Sequence, residues 1–258
     1  MNRKLWGMLA CVCTLAMMAA SAIPARAQDE VKEKPPMYSY VGFWNIPRAQ
    51  WAEMEKNNAA EQKILDKALA DGAIVAYGND LNIVHTADGM THDDWWSAMS
   101  MAAMLNVLDK FYKSGTPTSP VLASATKHTD GIFVSRYYNW RSGPYKAYTR
   151  VGYYKLKPDA PEHAIETLSK TFIVPLLEKL LADGSIVEYE IDTEAVHTEG
   201  PGAFWIDVIS PNAEGLDKLN AALLDRVKTN PLAGQAFDSM IDSSAHRDSL
   251  STSTVTYK

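Results

Sequence analysis

Residues 69 to 86 read LADGAIVAYGNDLNIVHT, and 112 residues later residues 181 to 198 read LADGSIVEYEIDTEAVHT. Between Leu65–Thr86 and Leu177–Thr198, 13 of 22 positions are identical, far more than two unrelated stretches of ordinary composition share. Self-similarity at this period is the mark of one supersecondary unit written twice. Any fold for this chain must therefore be built from two like halves.

Each half carries the same order of patterns. The aromatic and β-branched run MYSYVGFWNI opens the first half and AYTRVGYYKL the second, with Val41-Gly42 aligned on Val151-Gly152, and both read as strands. Helices follow over Pro47 to about Ala70 and about Pro161 to Ala182; in the latter Ile165, Leu168, Phe172, Leu176 and Leu180 recur at helical spacing, and Pro175 is expected to bend it. Asp71-Gly72 and Asp183-Gly184 stop the helices, because glycine takes the left-handed conformation that closes a helix. The repeated phrase supplies the next strand. In the second copy Glu188, Glu190, Asp192 and Glu194 alternate with apolar residues, and that acidic row suits a wet or edge strand. The runs WWSAMSM and AFWIDVI read as third strands. Helices through Met101–Phe111 and from a cap at Ser210-Pro211 come next, and GIFVSRYYNW and SLSTSTVTYK close the halves.

The order β-α-β-β-α-β is the ferredoxin-like pattern, which puts both helices on one face of a four-stranded sheet and leaves the other face bare. A bare apolar face needs a cover, and a short link over residues 141–147 holds the second copy close enough to provide it. On this element order and duplication, residues 38–258 resemble the dimeric α/β-barrel superfamily, and in particular its tandem-fused members. The resemblance implies an α+β fold of two ferredoxin-like units, residues 38–140 and 148–258, packed sheet to sheet as a pseudo-dimer within one chain. It leaves further homo-oligomerisation open. It also implies a choice among cofactor-independent monooxygenases, haem-degrading enzymes, lactone isomerases, the haem-binding chlorite dismutase group and stress-induced proteins, which fold alone does not decide.

Residues 1–27 read as a signal peptide: Arg3 and Lys4 precede an apolar run, and Ala25-Arg26-Ala27 presents small residues for cleavage. Residues 28–37 form a linker to the first strand. Both cysteines, Cys11 and Cys13, fall in the leader, so the expected mature chain has no disulfide, thiolate nucleophile or cysteine metal site. It would carry 22 basic against 31 acidic residues, which argues against nucleic acid or an anionic membrane as partner and leaves small molecules or proteins.

Three groups of residues are candidates for a site. The repeated His-Thr places His85 and His197 on the strand parity of Tyr77 and Tyr189. An imidazole beside a phenol suits a general base, with His85 and Tyr77 as the catalytic pair; the alternative is that His-Thr only ends the strand. The hairpin HTADGMTHDDWW brings His85, Asp88, His92, Asp93 and Asp94 near Trp95 and Trp96, a ligand-binding or divalent-metal candidate whose spacing matches no standard zinc or calcium pattern, and the alternative is a charged, solvated loop. Tyr40, Trp44, Arg136, Tyr138 and Arg150 share a strand parity assigned to the interlayer, where arginine among aromatics suits an aromatic or anionic ligand; the alternative, equally open, is that the arginines pair with the chain's own surplus of carboxylates. No cofactor is predicted, although haem through His85 or His197 and a divalent metal stay open. No phosphate loop, nucleophile elbow or dinucleotide fingerprint is present.

The expected function is therefore that of an exported small-molecule-binding protein, with a stress-related role among the options. The alternative is a cofactor-independent monooxygenase or isomerase with a histidine base between the sheets. For the leader, N-terminal sequencing of the exported protein should begin at Gln28; a sequence starting at a lipid-modified Cys11 or Cys13 would overturn that reading.

Overall fold

The computed structural model describes residues 31–85 and 89–258, so the leader and Asp88 lie outside the described residues. The first half runs β1 (Met37–Asn45), α1 (Trp51–Ala70), β2 (Ala76–Asn82), β3 (His92–Ala98), α2 (Met101–Ser114), the short α3 (Pro120–Ala123) and β4 (Lys127–Trp140). The second runs β5 (Gly143–Lys155), α4 (Ala164–Leu168), a π-helical turn (Ser169–Ile173), α5 (Val174–Ala182), β6 (Glu188–Glu194), β7 (Ala203–Ser210), α6 (Ala213–Thr229), α7 (Pro231–Met240) and β8 (Arg247–Tyr257). The connection between halves is only Arg141-Ser142, since residues 143–147 already belong to β5.

Each half forms the ferredoxin-like sheet, β4-β1-β3-β2 and β8-β5-β7-β6. The sheets also join at their edges, β2 to β8 and β4 to β6, to close an eight-stranded antiparallel barrel. Closure gives every strand two neighbours and removes the exposed edges that an open sheet would present. The helices pack on the outside. In the first half Leu65, Ala68, Met104, Val107 and Phe111 meet the outward residues Tyr77, Trp96 and Ala98 in one buried cluster.

Local sequence explains most boundaries. Gly72 and Gly184 take φ of 73° and 79°, as the Asp-Gly stops require. Ser100 caps α2 by accepting from the Ala103 amide. The expected cap at Ser210 is displaced: Asn212 caps α6, accepting from the Gly215 amide at 2.9 Å, because the Ser210 hydroxyl is used on the Ser185 carbonyl. Pro175 does not simply bend its helix. A π turn precedes it, and the Thr171 carbonyl, which a proline nitrogen four residues on cannot serve, accepts instead from Arg226 of α6 at 2.7 Å.

Strand parity sorts the barrel wall into two faces. Inward lie Ser39, Val41, Phe43, Asp80, Asp93, Trp95, Ser97, Phe133, Thr149, Glu188, Glu190, Asp192, Trp205, Asp207 and Tyr257 around a cavity of about 110 Å³. The acidic row of β6 is therefore neither wet nor an edge. β6 lies between β4 and β7, and Glu188, Glu190 and Asp192 are 2%, 7% and 4% exposed. Closure by the β4 edge turned the polar face inward. Both ends of the chamber are aromatic: Phe133 and Tyr153 pack edge-on to Trp205 at 4.9 and 5.3 Å, and Trp95 and Trp140 approach Tyr257 at 6.2 and 6.1 Å.

Burial disfavours the ionised form of these carboxyls. It pushes Glu188, Glu190 and Asp207 well up, with neighbouring acids adding to the effect, and Asp192 up to about 6. Outside the barrel, burial likewise lifts Glu61 to about 8 and Asp94 to about 7. Each folded value exceeds that of the unfolded chain, so the native state binds more protons; this stability is fully present below the unfolded values and is lost as pH rises through the folded ones. In dilute buffer free of added cations, Tm should fall between about pH 5 and about pH 8. A melting temperature that rises over that interval would contradict the buried acidic chamber.

Candidate functional site

The chemistry-bearing geometry lies on the outer face of the barrel, where each half places the same constellation under its helices. In the second half, Tyr154 of β5 stacks on His246 at 4.4 Å, the His246 Nδ1 is 2.9 Å from the Tyr153 carbonyl, and its Nε2 is 3.5 Å from Asp248. Asp248 also accepts from Arg150 at 3.0 Å, while the other guanidinium nitrogen donates to Asn220 at 2.9 Å. In the first half, Trp44 stacks on His128 at 3.5 Å, Nδ1 is 3.1 Å from the Phe43 carbonyl, Nε2 is 3.2 Å from Asp130, and the Tyr40 hydroxyl donates to Asp130. Nδ1 carries the proton toward the carbonyl in both, because a carbonyl only accepts. Nε2 is thereby left facing the carboxylate.

The two copies differ in what lies beside them. Residues paired with Tyr77 and Tyr189 set the correspondence: Trp96 stands opposite Tyr77 where Val208 stands opposite Tyr189, and two residues earlier Asp94 corresponds to Ile206. In the first half the Trp96 ring stacks on Tyr40 at 4.4 Å and on Phe111 at 5.1 Å, leaving a gap of about 60 Å³. In the second, Ile206 and Val208 leave a cavity of about 320 Å³, walled by Phe172, Ile173, Leu177, Leu219, Leu223, Val227 and Phe237, with Arg150, Tyr154 and Asp248 at its polar corner. The π turn supplies Phe172 and Ile173 to that wall, and such turns recur at functional sites because they re-aim side chains without ending a helix.

The sequence-derived site residues scatter over three places. Tyr40, Trp44 and Arg150 face the helices rather than the space between the sheets, because Ser39, Val41, Phe43, Thr149 and Val151 hold the inward parity. Tyr138 does lie on the inner face, opposite Glu190, because a bulge between Ser135 and Tyr137 shifts the parity of β4; Arg136 sits at that bulge, exposed, 3.8 Å from Glu33. Trp95 points inward and donates to Asp80 at 2.8 Å, whereas Trp96 points outward.

Tyr77 and Tyr189 are core clamps. They are 2% and 1% exposed; Tyr77 donates to Asp66 of α1, and Tyr189 to Glu178 of α5 at 2.6 Å. His85 and His197 fall beyond the ends of β2 and β6 and are exposed, so neither meets its tyrosine on a strand face. After His197, Thr198 donates to Glu194 through both amide and hydroxyl, a strand-end fixture. His85 packs at 5.7 Å on Trp51, as does the buried His92 at 5.5 Å; burial, and then the charge of His85, lowers His92 to about 4 and keeps it neutral near pH 7. Asp93 and Asp94 point to opposite faces of β3, so these two carboxylates do not converge. Among the described residues no group of three histidines, cysteines or carboxylates surrounds a metal position.

What the residue-level reading missed is a second repeated motif, His128-Thr129-Asp130 and His246-Arg247-Asp248, near the start of each last strand. Alternation puts its first and third residues on one face. That signal was available, but it lacked the long flanking identity of the His-Thr phrase.

No protein-family model matches the sequence, and no curated protein matches it. Solved structures do match in shape. A proposed monooxygenase from Lactobacillus acidophilus has TM-score 0.61 at 12% identity, over 87% of this chain and 97% of its own. A proposed monooxygenase from Fusobacterium nucleatum has TM-score 0.62 at 9% identity, over 86% and 94%. An anthrone oxidase-like protein has TM-score 0.51 at 8% identity, over 86% and 93%. At these identities the likeness is one of fold. With the closed eight-stranded barrel and the two ferredoxin-like halves, it gives the chain the fold of a dimeric α/β barrel whose two units are fused in one polypeptide.

Proposed function

We propose that this protein, exported under the leader read over residues 1–27, binds an apolar, ring-containing small molecule bearing a hydroxyl in the second-half cavity. The observation that carries this reading is the cavity itself. About 320 Å³ of aliphatic and aromatic wall ends in one polar corner formed by Arg150 and Asp248, the lining expected of a small-molecule site. Arg150 is already matched by Asp248 and Asn220. A ligand hydroxyl donating to the Asp248 carboxylate keeps those bonds, whereas an anion would face that carboxylate. A neutral hydroxyl compound thus fits better than an anionic one.

A second reading is favoured by the His246–Asp248 contact and by the monooxygenase-like neighbours in fold. Asp248, with His246 behind it, accepts the proton of the bound hydroxyl. The electron-rich ring that results adds dioxygen, takes the proton back as a hydroperoxide and loses water to leave a quinone, so the substrate supplies all four electrons and no cofactor is needed. Binding and turnover share one site in these readings and differ in oxygen uptake.

1-Naphthol serves as the probe. Val208→Trp places in the second half the ring that fills the first, and it should abolish naphthol binding with little change in Tm; unaltered binding would remove the cavity from consideration. Asp248→Asn retains shape but offers an amide in place of the carboxylate, and it should weaken binding by about tenfold, the worth of one charge-assisted hydrogen bond (~1.5 kcal/mol). Oxygen consumption with anthrone or 1-naphthol, lost in His246→Gln, would support the catalytic reading, and its absence in wild type leaves binding alone.

A further inference from the structure

The barrel interior is chemically unlike the outer cavity. Six carboxyl groups line it, Asp80, Asp93, Glu188, Glu190, Asp192 and Asp207, and no lysine, arginine or histidine is among the described residues that do. The internal donors are few. Ser135 donates to Glu190 and Asp192, Ser253 and Trp95 to Asp80, and Asn82 to Asp93. Glu188 stands against Glu190 and Asp207, and Asp207 against Asp192 and Glu190, so the nearest charged neighbours of these two acids are other acids.

With these donors spent, buried oxygens remain without partners: Glu188 Oε1, Asp93 Oδ1, Asp207 Oδ1 and the Tyr257 hydroxyl. Glu188 and Tyr257 are 2% and 3% exposed, and both line the cavity. An unpaired buried polar atom costs about 1–3 kcal/mol, more when charged, so four around one space call for an occupant that supplies donors. The Tyr257 hydroxyl is a separate unpartnered group facing the same space, and a phenolic oxygen can accept from an occupant that carries donors.

We propose that the barrel chamber is a binding site for a short aliphatic diamine in its dicationic form. An ammonium group supplies three donors and the positive charge that the chamber lacks. Glu188, Glu190 and Asp192 stand at two-residue intervals on one strand, ~6.6 Å per step, so their carboxyl groups are spread along the barrel rather than gathered at a point. No three ligands converge on a metal position among the described residues, which favours a linear cation over a single ion. The rings of Trp95, Trp205 and Tyr257 line the same space, and aromatic faces attract alkylammonium groups. The cavity of about 110 Å³ suits a chain of a few carbons. This site does not depend on the outer cavity.

The test titrates cation-free protein near pH 8 with 1,4-diaminobutane, 1-aminobutane, calcium chloride or magnesium chloride, following tryptophan fluorescence and Tm. The diamine should raise Tm and bind at least about tenfold more tightly than the monoamine, because only it meets two carboxylates. Glu188→Gln with Glu190→Gln should raise the diamine Kd at least about tenfold, yet raise the Tm of ligand-free protein, since like charges are removed from a buried site. Should that double variant misfold, Asp207→Asn is the single change with the same expected direction. Val208→Trp and Asp248→Asn should leave diamine binding intact, which separates this proposal from the outer-cavity reading. A response to calcium or magnesium but not to the diamine would overturn the proposal in favour of a metal site. A Tm that responds to acid and to none of these cations would overturn it in favour of a chamber that holds only protons.

Discussion

The hydrogen bonds from β2 to β8 and from β4 to β6 convert two open sheets into one barrel, and the other features of the molecule depend on that closure. A lone ferredoxin-like unit has two edges and a bare face. Here each copy supplies the other's missing neighbour, and the two-residue connection Arg141-Ser142 makes the encounter intramolecular. Closure also decides polarity. Once the edges join, the inward parity of every strand is committed to a space without bulk water, whatever side chains it carries.

That commitment accounts for the unusual distribution of charge. Glu188, Glu190 and Asp192 read as a solvated row until β4 covers their strand; then they become buried acids that hold protons or require a cation. Replacement of buried acids by apolar residues would stabilise many proteins. Their retention in a chamber with aromatic ends is the feature most in need of a functional account, and it has a different chemical character from the apolar cavity outside the wall.

Duplication left the two halves with one blueprint and different fillings. Tyr77–Asp66 and Tyr189–Glu178 are the same clamp twice, as are Trp44–His128–Asp130 and Tyr154–His246–Asp248. Under the helices the fillings differ at outward side chains of β3 and β7. Trp96 fills the first half, while Val208, with the π turn ahead of Pro175, leaves room in the second. Position on the fold is thus shared, and capacity to hold a ligand is not.

The sequence by itself determined the repeat, the six elements of each half, the Asp-Gly helix stops and the resemblance to a fused dimeric α/β barrel, because periodicity and glycine conformation are local properties. It did not determine which strand face becomes the interior. Alternation defines two faces but leaves them unlabelled, and the acidic row of β6 looked like the wet one. Only the tertiary structure decided that label, through edge pairing of residues as distant as Gly78 and Val255. The site was legible to the same extent. His85 and His197 stood out through sequence identity yet lie in solvent past the strand ends, whereas His128 and His246, each with a carboxylate two residues along, gain the aromatic rings of Trp44 and Tyr154 from β1 and β5, a proximity that exists only once the strands have paired.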